Sequence, residues 1–409
     1  MKEPWSKQHK RVFQGSKYSL SNSFAQPLNM KELLEITNQR QDTQLIEEYF
    51  HHTLEYTPNG GSLDLRKEIA NLYGEHITAD HVLVCTGGQV AIQIAALAMA
   101  ATSDDCPCHS IYFTPGYQST VESPEWANCS SPSSSSSSCK GRVTKIPRKA
   151  SEDWQIDLQA LRQAIIPGQT KYLVLNEPYN PAGIVMSSQR QQELIDICRE
   201  QNIVVLCDEV YRLLEHDPQT TRIPAMADVY SKGISAVTMS KPWGACGITI
   251  GWLVCQDLEI KQRLVDVQYF GTACPSRASE LQAIMVLRAS DTILEERRTI
   301  LLRNLKLLKT FVHDYGEFFS WREPNAGAIA FLKFLGPLTS QELGEQMLTE
   351  RGISIKPTYC FAEEVTPEIE SYFRVGFGER KMPHALDALI AFVEDHKDEW
   401  RRQMKETIL

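Results

Sequence analysis

The interpretation of the whole chain depends on one stretch, Thr238-Met-Ser-Lys-Pro-Trp-Gly-Ala-Cys-Gly-Ile-Thr-Ile-Gly-Trp252. It joins two apolar segments, 233–237 and 248–255, through a glycine-rich turn that carries a single lysine, Lys241. A lysine held between apolar strands has a lowered pKa, and its free amine is a nucleophile that can form a Schiff base with a carbonyl group. On its own, a Ser-Lys dipeptide is more often part of an ordinary loop, so the turn must be interpreted with the rest of the chain.

The glycines after the lysine resemble a family signature. The pattern Ser240-Lys241-x-x-Gly244-x-x-Gly247-x-x-x-Gly251-Trp252 is similar to the cofactor-lysine motif of the class I/II aminotransferases, fold-type I enzymes that use pyridoxal phosphate. The resemblance covers roughly residues 18–393. It implies that Lys241 holds the cofactor as an aldimine and that Ser240 binds its phosphate. The chain departs from the motif at Thr249, where the family has a phosphate-binding arginine.

Composition limits the class of protein. The chain has 409 residues, enough for two domains, and 42% hydrophobic with 23% charged residues is ordinary for a globular protein. The formal net charge of −9 argues against nucleic acid or an anionic membrane as the main partner. No apolar run approaches the ~20 residues of a membrane span, and the first residues lack the apolar core of a signal peptide. We therefore expect a cytoplasmic protein, with an organellar address as the alternative.

The cysteines also indicate a reducing compartment such as the cytoplasm. The chain has 11 cysteines, with no CxxC pair and no Cys/His cluster at zinc spacing. Several, such as Cys207 and Cys246, lie in apolar segments and are typical of small core residues. Cys106 and Cys108 with His109 could suggest a metal, but the neighbouring Asp-Asp and Pro fit a loop better. We expect no metal site and a reducing compartment.

A second motif resembles a phosphate loop. A strand over 81–85, the turn Thr86-Gly-Gly-Gln89 and a helix over 90–101 aim backbone N–H groups and a helix dipole at an anion. Many α/β proteins have such a turn without a ligand. Because it occurs together with the Lys241 motif, we expect the amides of Gly88 and Gln89 to bind the cofactor phosphate.

Two further turns follow predicted strands. After the strand 110–114, the family has an aromatic ring stacked on the pyridine, a place that Tyr117 fits; a core aromatic is the alternative. The turn Asn176-Glu-Pro-Tyr-Asn-Pro-Ala-Gly183 resembles the family's Asn-x-x-x-Asn-Pro-x-Gly. The resemblance implies that Asn180 binds the ring oxygen of the cofactor and the substrate carboxylate. A proline turn capped by asparagine is the alternative.

The apolar run 203–207 is typical of a buried parallel strand and ends at Asp208-Glu-Val-Tyr211. Open α/β sheets bind ligands at this end of a strand. An anion beside the pyridine nitrogen keeps that nitrogen protonated, so that the ring accepts electrons. We assign that role to Asp208, and a hydrogen bond to the ring hydroxyl to Tyr211. A helix cap is the alternative for Asp208.

The remaining candidates come from the resemblance. Arg374 lies where the family binds the substrate α-carboxylate, and a surface arginine is the alternative. Tyr56 lies in a Tyr-x-Pro-x-x-Gly pattern whose tyrosine reaches the phosphate of the neighbouring subunit, or else packs the turn. Ser23 and Phe24 lie in the N-terminal segment that crosses the site mouth in the family, or else pack a loop.

The expected fold is α/β, with a large domain and a smaller α+β domain, and the resemblance implies a mostly parallel sheet of seven strands flanked by helices in the large domain. We expect residues 1–17 to form a mobile arm. The predicted segments are an N-terminal arm with part of the small domain, 1–45; a large cofactor domain, 46–275, with a Ser-rich surface insertion near 129–139; a linking helix, 276–305; and the rest of the small domain, 306–409.

The resemblance implies a homodimer that transfers an amino group from an L-amino acid to a 2-oxo acid. A cyclase or lyase is an alternative, because the N-terminal stretch and lysine loop are loosely similar to capreomycidine synthase and aminocyclopropane carboxylate synthase. A non-catalytic binding protein with the same fold is another. No second arginine marks a dicarboxylate substrate, so a neutral or basic side chain is the working guess.

Overall fold

The structure is a computed structural model that describes residues 5–100, 109–129, 143–272 and 274–408. Cys106, Cys108 and the Ser-rich insertion from residue 130 onward lie outside the described residues. The described strands are β1 Tyr18–Ser19, β2 Val82–Cys85, β3 His109–Thr114, β4 Val143–Pro147, β5 Thr170–Asn176, β6 Val204–Asp208, β7 Gly233–Thr238, β8 Gly251–Cys255, β9 Phe319–Trp321, β10 Ile329–Phe334, β11 Ile353–Ser354, β12 Lys356–Pro357 and β13 Tyr372–Gly376.

Helices connect these strands. They are α1 Trp5–Val12, α2 Met30–Gln39, α3 Thr43–His51, α4 Leu63–Ala70, α5 Gly88–Ala100, α6 Gln118–Cys129, α7 Leu158–Ala164, α8 Ser188–Glu200, α9 Pro218–Thr221, α10 Met226–Val229, α11 Leu258–Tyr269, α12 Arg277–Arg288, α13 Ser290–Asp314, α14 Ser340–Arg351 and α15 Met382–Ile408. No helix in the described part of the chain is both long and apolar enough to cross a membrane.

The large sheet has seven strands in the order β2-β8-β7-β6-β5-β3-β4. Strands β3 to β7 pair in parallel, whereas β8 runs antiparallel to both of its neighbours. The segment 239–250 between β7 and β8 contains a turn of 3-10 helix but no α-helix that could form a crossover, and β8 runs back antiparallel beside β7. The expected α/β class, with a mostly parallel sheet of seven strands, is confirmed.

Both faces of the large sheet are covered by helices, which is why its central strands β6, β7 and β8 are largely apolar and buried. Along β6 the side chains alternate. Leu206 packs toward α5 and α11 with Ile92 and Leu264, whereas Val205 packs on the other face with Leu194 of α8. The polar residues that follow the strands therefore lie at the edge of the sheet, where the helices leave room.

The second unit contains residues from both ends of the chain. A four-stranded antiparallel sheet, β12-β13-β10-β9, packs with α13, α14 and α15, while β1 pairs with β11. Leu20 belongs to the same apolar cluster as Leu305, Phe373 and Leu389. The N-terminal segment is thus part of this unit; the exact domain limits stay a prediction.

The prediction that residues 1–17 form a mobile arm is wrong over the described part. Trp5–Val12 is the helix α1, and Phe13 directly after it is buried. His9 and Phe13 stack with ring centroids 4.5 Å apart, and His9 Nε2 lies 2.7 Å from the carbonyl oxygen of Ile355. Residues four apart share a helix face, so the burial of His9 and Phe13 on one side anchors a segment that is polar by composition.

The single linking helix predicted over 276–305 is also wrong. Two helices occupy this region, α12 and α13, and they meet at the buried Ala289. Next to the junction, the Ser290 hydroxyl accepts a 2.8 Å hydrogen bond from the Trp243 indole. This contact is made across the fold. Neither proline nor glycine marks the break, so the local sequence predicts one continuous helix.

Candidate active site

The candidate residues converge because parallel strands end at one edge of a sheet. Asn176 ends β5, Asp208 ends β6, and the turn with Lys241 follows β7. The register pairs Asn176 with Asp208 directly. The amide of Asn176 donates 2.7 Å to the Asp208 carbonyl, while its oxygen accepts 2.6 Å from the backbone N–H of Asn180. Asn176 therefore holds the backbone of both Asp208 and Asn180 in place. The sequence analysis did not assign this role, although Asn176 is the first asparagine of the motif.

Lys241 is partly buried on the turn after β7. Its Nζ donates to the Ser23 hydroxyl at 3.0 Å, and its carbonyl oxygen accepts from the backbone of Ala25 at 3.0 Å. Burial, followed by the charge of Arg374, lowers the pKa of Lys241 to about 8, against an opposing effect of Asp208. The amine is therefore far easier to deprotonate than that of an ordinary surface lysine.

Asp208 is 1% exposed, and burial raises its pKa to about 7. Its carboxylate accepts a 3.3 Å hydrogen bond from the backbone of Val210. Among the described residues it has no ion-pair partner within 4.0 Å, although the Lys241 charge is close enough to act on its pKa. A buried carboxylate without a cation is unfavourable, and a protonated ring nitrogen would satisfy it.

Two tyrosines lie beside this carboxylate. Tyr117 accepts a 2.5 Å hydrogen bond from the side-chain amide of Gln89, and Tyr211 is buried and interacts with the Ser23 hydroxyl. Burial raises the pKa of both phenols, and the charges of Asp208 and Arg374 act on each of them. Both rings therefore lie within electrostatic reach of the two charged groups.

Arg374 is buried on β13 and faces the same residues. Its Nη1 donates to Asn180 Oδ1 at 3.0 Å and its Nη2 to the Ser21 carbonyl at 2.8 Å, while its Nε is buried without a partner. The guanidinium also lies 5.2 Å from the centre of the Phe361 ring. Because Asn180 accepts through its oxygen, its amide group is left to donate elsewhere.

The predicted phosphate loop lies against the lysine turn. Gly88 begins α5, whose first amides have no acceptor within the helix. A Cβ on Gly88 would lie 3.1 Å from the Thr238 side chain, whose hydroxyl is 3.1 Å from that of Ser240. A Cβ on Gly251 would lie 2.7 Å from the backbone of Gly87, so glycine is required for this close approach.

Two residues of the lysine turn, Thr249 and Cys246, are exposed. Thr249 is exposed in the left-handed region at φ 58°, and an added Cβ on Gly87 would meet its methyl group at 3.7 Å. It therefore borders the phosphate loop. Cys246, predicted to be a core residue, is exposed, because the segment around it is a turn of 3-10 helix and not part of β8.

Two candidates behave differently from the rest. Tyr56 is 96% exposed and joins none of the other candidates within one chain. Phe24 is partly exposed on the segment that carries Ser23.

The sequence analysis did not identify Lys356, which is paired with Arg374 across β12 and β13. No local signal identifies it, because its position depends on strand register.

The residues that converge fit the cofactor expected from the sequence. Asp208 offers a buried anion to a pyridine nitrogen, Asn180 a free amide to a ring oxygen, and the start of α5 unpaired N–H groups to a phosphate. Lys241 offers an amine of lowered pKa to the aldehyde. Over the described ranges, there is no group of three or more His, Cys, Asp or Glu residues that could hold a metal ion.

Comparison with known sequences agrees with this geometry. A family model described as aminotransferase class I and II matches residues 23–389. An aspartate aminotransferase of Thermotoga maritima is 22% identical over 351 residues, which are 83% of this chain and 84% of the relative. The aromatic-amino-acid aminotransferase 2 of Thermococcus litoralis is 23% identical over 369 residues, which are 86% of this chain and 88% of that relative.

Solved structures share the fold. A PLP-dependent aminotransferase from Streptococcus suis has a TM-score of 0.82 at 24% identity, and the match covers 96% of each chain. The PLP-dependent cyclase OrfR has a TM-score of 0.82 at 21% identity, covering 97% of this chain and 98% of that one. At such identities the likeness concerns the fold alone.

Proposed function

The chain belongs to the aminotransferase class I and II family, whose members are pyridoxal phosphate-dependent transaminases, and we propose that it transfers the amino group of an L-amino acid to a 2-oxo acid. One observation carries the proposal. The buried carboxylate of Asp208 and the buried guanidinium of Arg374 both lie within electrostatic reach of the Lys241 amine, whose pKa is lowered.

Bound pyridoxal phosphate supplies an electron sink that makes a bond at the substrate Cα easy to break. The residues do the rest. Arg374 binds the α-carboxylate of the substrate with its remaining N–H groups and so fixes Cα in place. Lys241 Nζ would take the proton from Cα and return it at the former aldehyde carbon of the cofactor, because its lowered pKa lets it act as a base and then as an acid.

The other site residues hold the cofactor in position. Asp208 keeps the proton on the ring nitrogen, since the raised pKa of this carboxyl falls once a cation lies beside it. Asn180 and Tyr211 would donate to the ring oxygen of the bound cofactor, and Tyr117 would pack on the face of its ring. Gly88, Gln89 and Ser240 bind the phosphate. Ser23 orients the amine of Lys241, to which its hydroxyl is hydrogen-bonded.

The test is a reaction of purified holoenzyme with amino acids and 2-oxo acids. A transaminase converts the cofactor to its aminated form with the first substrate and restores it with the second, so the absorbance change reverses and a new amino acid appears. Cyclisation or elimination, the chemistry that would match the name of OrfR, yields product without transfer of the amino group. A non-catalytic binding protein gives no product with any amino acid.

Thr249 bears on how tightly the cofactor is held. We predict that Thr249→Arg lowers the cofactor dissociation constant about 10- to 100-fold, because a charge-assisted hydrogen bond to phosphate contributes about 1.5–3 kcal/mol. Dialysis of holoenzyme against phosphate buffer, followed by absorbance, measures the loss. Thr249→Gln provides the control, with added length and no charge. Equal retention by wild type and Thr249→Arg would contradict the prediction.

We also propose a homodimer whose sites lie at the subunit interface. Large apolar side chains are exposed in the segment between α3 and α4 and at the end of α11, including Leu54, Tyr56 and Phe270 at 96%, 96% and 89% exposure. A surface of this kind is typical of a covered interface. In the proposed dimer, Tyr56 reaches the cofactor phosphate of the partner.

Mixing one variant of low activity with one inactive variant tests this arrangement. Tyr56→Ala should lower activity about 10- to 100-fold through the lost phosphate contact, and Lys241→Ala should be inactive. If Tyr56 acts across the interface, each mixed dimer has one intact site, so equal mixing after dissociation restores about a quarter of the wild-type activity. No recovery, in a mixture that sedimentation shows to contain dimers, would place Tyr56 in its own site or outside catalysis.

A further inference from the structure

Strand register places Lys356 beside the substrate-binding arginine. In the antiparallel pair of β12 and β13, Lys356 lies opposite Arg374 and Pro357 lies opposite Phe373. Residues directly opposite each other point to the same face of a sheet. Pro357 and Phe373 are both buried on the core side, so Lys356 and Arg374 share the other face, toward the candidate site.

Lys356 has no anionic partner there. It is partly exposed, and among the described residues its Nζ has neither a hydrogen bond nor an ion pair. Burial, followed by the charge of Arg374, lowers the pKa of Lys356 to about 8. The charges of Lys241 and Lys10 act in the same direction, while Cys360 opposes them. Several positive charges therefore lie close together around Lys356, and among the described residues no carboxylate forms an ion pair with Lys356. The positive charge is local, because the chain as a whole has a formal net charge of −9.

Arg374 and Lys356 together have more N–H donors than the α-carboxylate of a substrate can accept. Arg374 already gives one N–H to Asn180 and one to the Ser21 carbonyl, which leaves three of its five for a substrate. A bidentate α-carboxylate uses two of these. The three N–H groups of Lys356 remain, and they are available to a second anionic group of the substrate.

We propose that Lys356 is a specificity-determining residue that binds a second acidic group of the substrate, so that the enzyme selects amino acids with an acidic side chain. This inference rests on the proposed transamination and replaces the guess of a neutral or basic substrate. The guess considered only arginine, whereas the structure brings a lysine next to Arg374 from 18 residues earlier in the chain.

Paired substrates test the selection. L-Glutamate and L-norvaline differ mainly in the terminal carboxylate. For Lys356→Met holoenzyme, kcat/KM should fall about 10- to 100-fold with L-glutamate or L-aspartate and stay within about two-fold with L-norvaline. Lys356→Arg, which keeps the charge, should retain most of the discrimination. Equal losses with both substrates would mean that Lys356 only supports the α-carboxylate, and unchanged rates would remove it from binding; either result overturns the proposal.

Lys333 provides a matched control. It lies on the same sheet opposite Tyr372, with its Nζ 5.7 Å from the centre of that ring. Lys333→Met removes one charge from the same face of the sheet, so its substrate preference should remain that of the wild type. A loss of glutamate selectivity equal to that of Lys356→Met would show a general charge effect and contradict a specific site.

Binding without turnover separates this inference from the proposed function. Calorimetric titration of holoenzyme with glutarate and with butyrate compares a dicarboxylate with a monocarboxylate. Wild type should bind glutarate at least about ten-fold more tightly than butyrate, and Lys356→Met should lose that preference. If no amino acid is transaminated but the glutarate preference holds, the function fails and the anion site stands. If transamination proceeds and neither protein prefers glutarate, the anion site fails alone.

Discussion

Replacing Lys241 with alanine should lower the transamination rate by about 10⁴-fold or more. A positioned general base alone contributes about 10²–10⁴-fold, and the variant also loses the covalent attachment of the cofactor. Burial lowers the pKa of Lys241 to about 8, so that about a quarter of the amine is unprotonated at pH 7.5, against about a thousandth for an ordinary lysine. Single-turnover rates with an amino acid substrate measure the loss.

Two controls separate a chemical role from a structural one. Lys241→Arg keeps the positive charge, but a guanidinium with a pKa above about 12 cannot accept a proton, so its activity should be as low as that of the alanine variant. Added methylamine should restore part of the activity of Lys241→Ala and none of that of Lys241→Arg, where the side chain fills the space. Absence of rescue together with a lowered melting temperature would indicate that Lys241 only supports the fold.

The covalent link has an independent readout. Borohydride treatment of wild-type holoenzyme, followed by peptide mapping, should find a pyridoxyl group on the peptide that contains Lys241. The Lys241→Ala variant should give no adduct on that peptide. An adduct on a different lysine of the wild type would overturn the assignment even if activity were lost in the variant.

The parts of this site that local sequence predicts are those at strand ends. The apolar run before Asp208 predicts a buried parallel strand, and parallel strands end at one edge, so the positions of Asp208 and Lys241 follow from their own neighbours. The expected α/β class follows for the same reason. Local hydrophobic patterning sets each of these elements, and the sheet only brings them together.

Contacts between distant segments could not be predicted in this way. Ser23 and Lys241 are 218 residues apart and meet because the N-terminal segment runs between the two units. Lys356 reaches the site through the register of a two-residue strand, and a slip of one residue would turn its side chain to the core. Such placements depend on pairings across the fold, which a pattern of neighbouring residues does not encode.

Replacing Asp208 with asparagine should lower kcat about 10²- to 10⁴-fold while stabilising the cofactor-free protein. Removing one partner from a buried charge pair costs about 3–5 kcal/mol, and here that partner keeps the proton on the ring nitrogen. Without the cofactor, the same carboxylate is buried at 1% exposure with no ion-pair partner among the described residues. The unpaired buried charge then lowers the free energy of unfolding, and a neutral asparagine at this position removes that cost.

The pH dependence of this effect has a definite sign. Burial raises the pKa of Asp208 from 3.8 to about 7 in the folded chain. The stability that the protonated carboxyl contributes is therefore fully present below about pH 4 and is lost as the pH rises through about 7, a change of roughly 4 kcal/mol. The melting temperature of cofactor-free Asp208→Asn should exceed that of cofactor-free wild type, with a gap that widens from pH 5 to pH 8.

Glu209 offers a control at the next position. Burial raises its pKa to about 7 as well, but its carboxylate accepts from the backbone of Met226 at 2.6 Å, at the start of α10. Glu209→Gln should therefore show a similar gain in cofactor-free stability at pH 8, with kcat within a few-fold of wild type. If both variants lost activity equally, the loss would come from the disturbed strand end and not from the charge that Asp208 presents to the cofactor, and the assignment of Asp208 would fail.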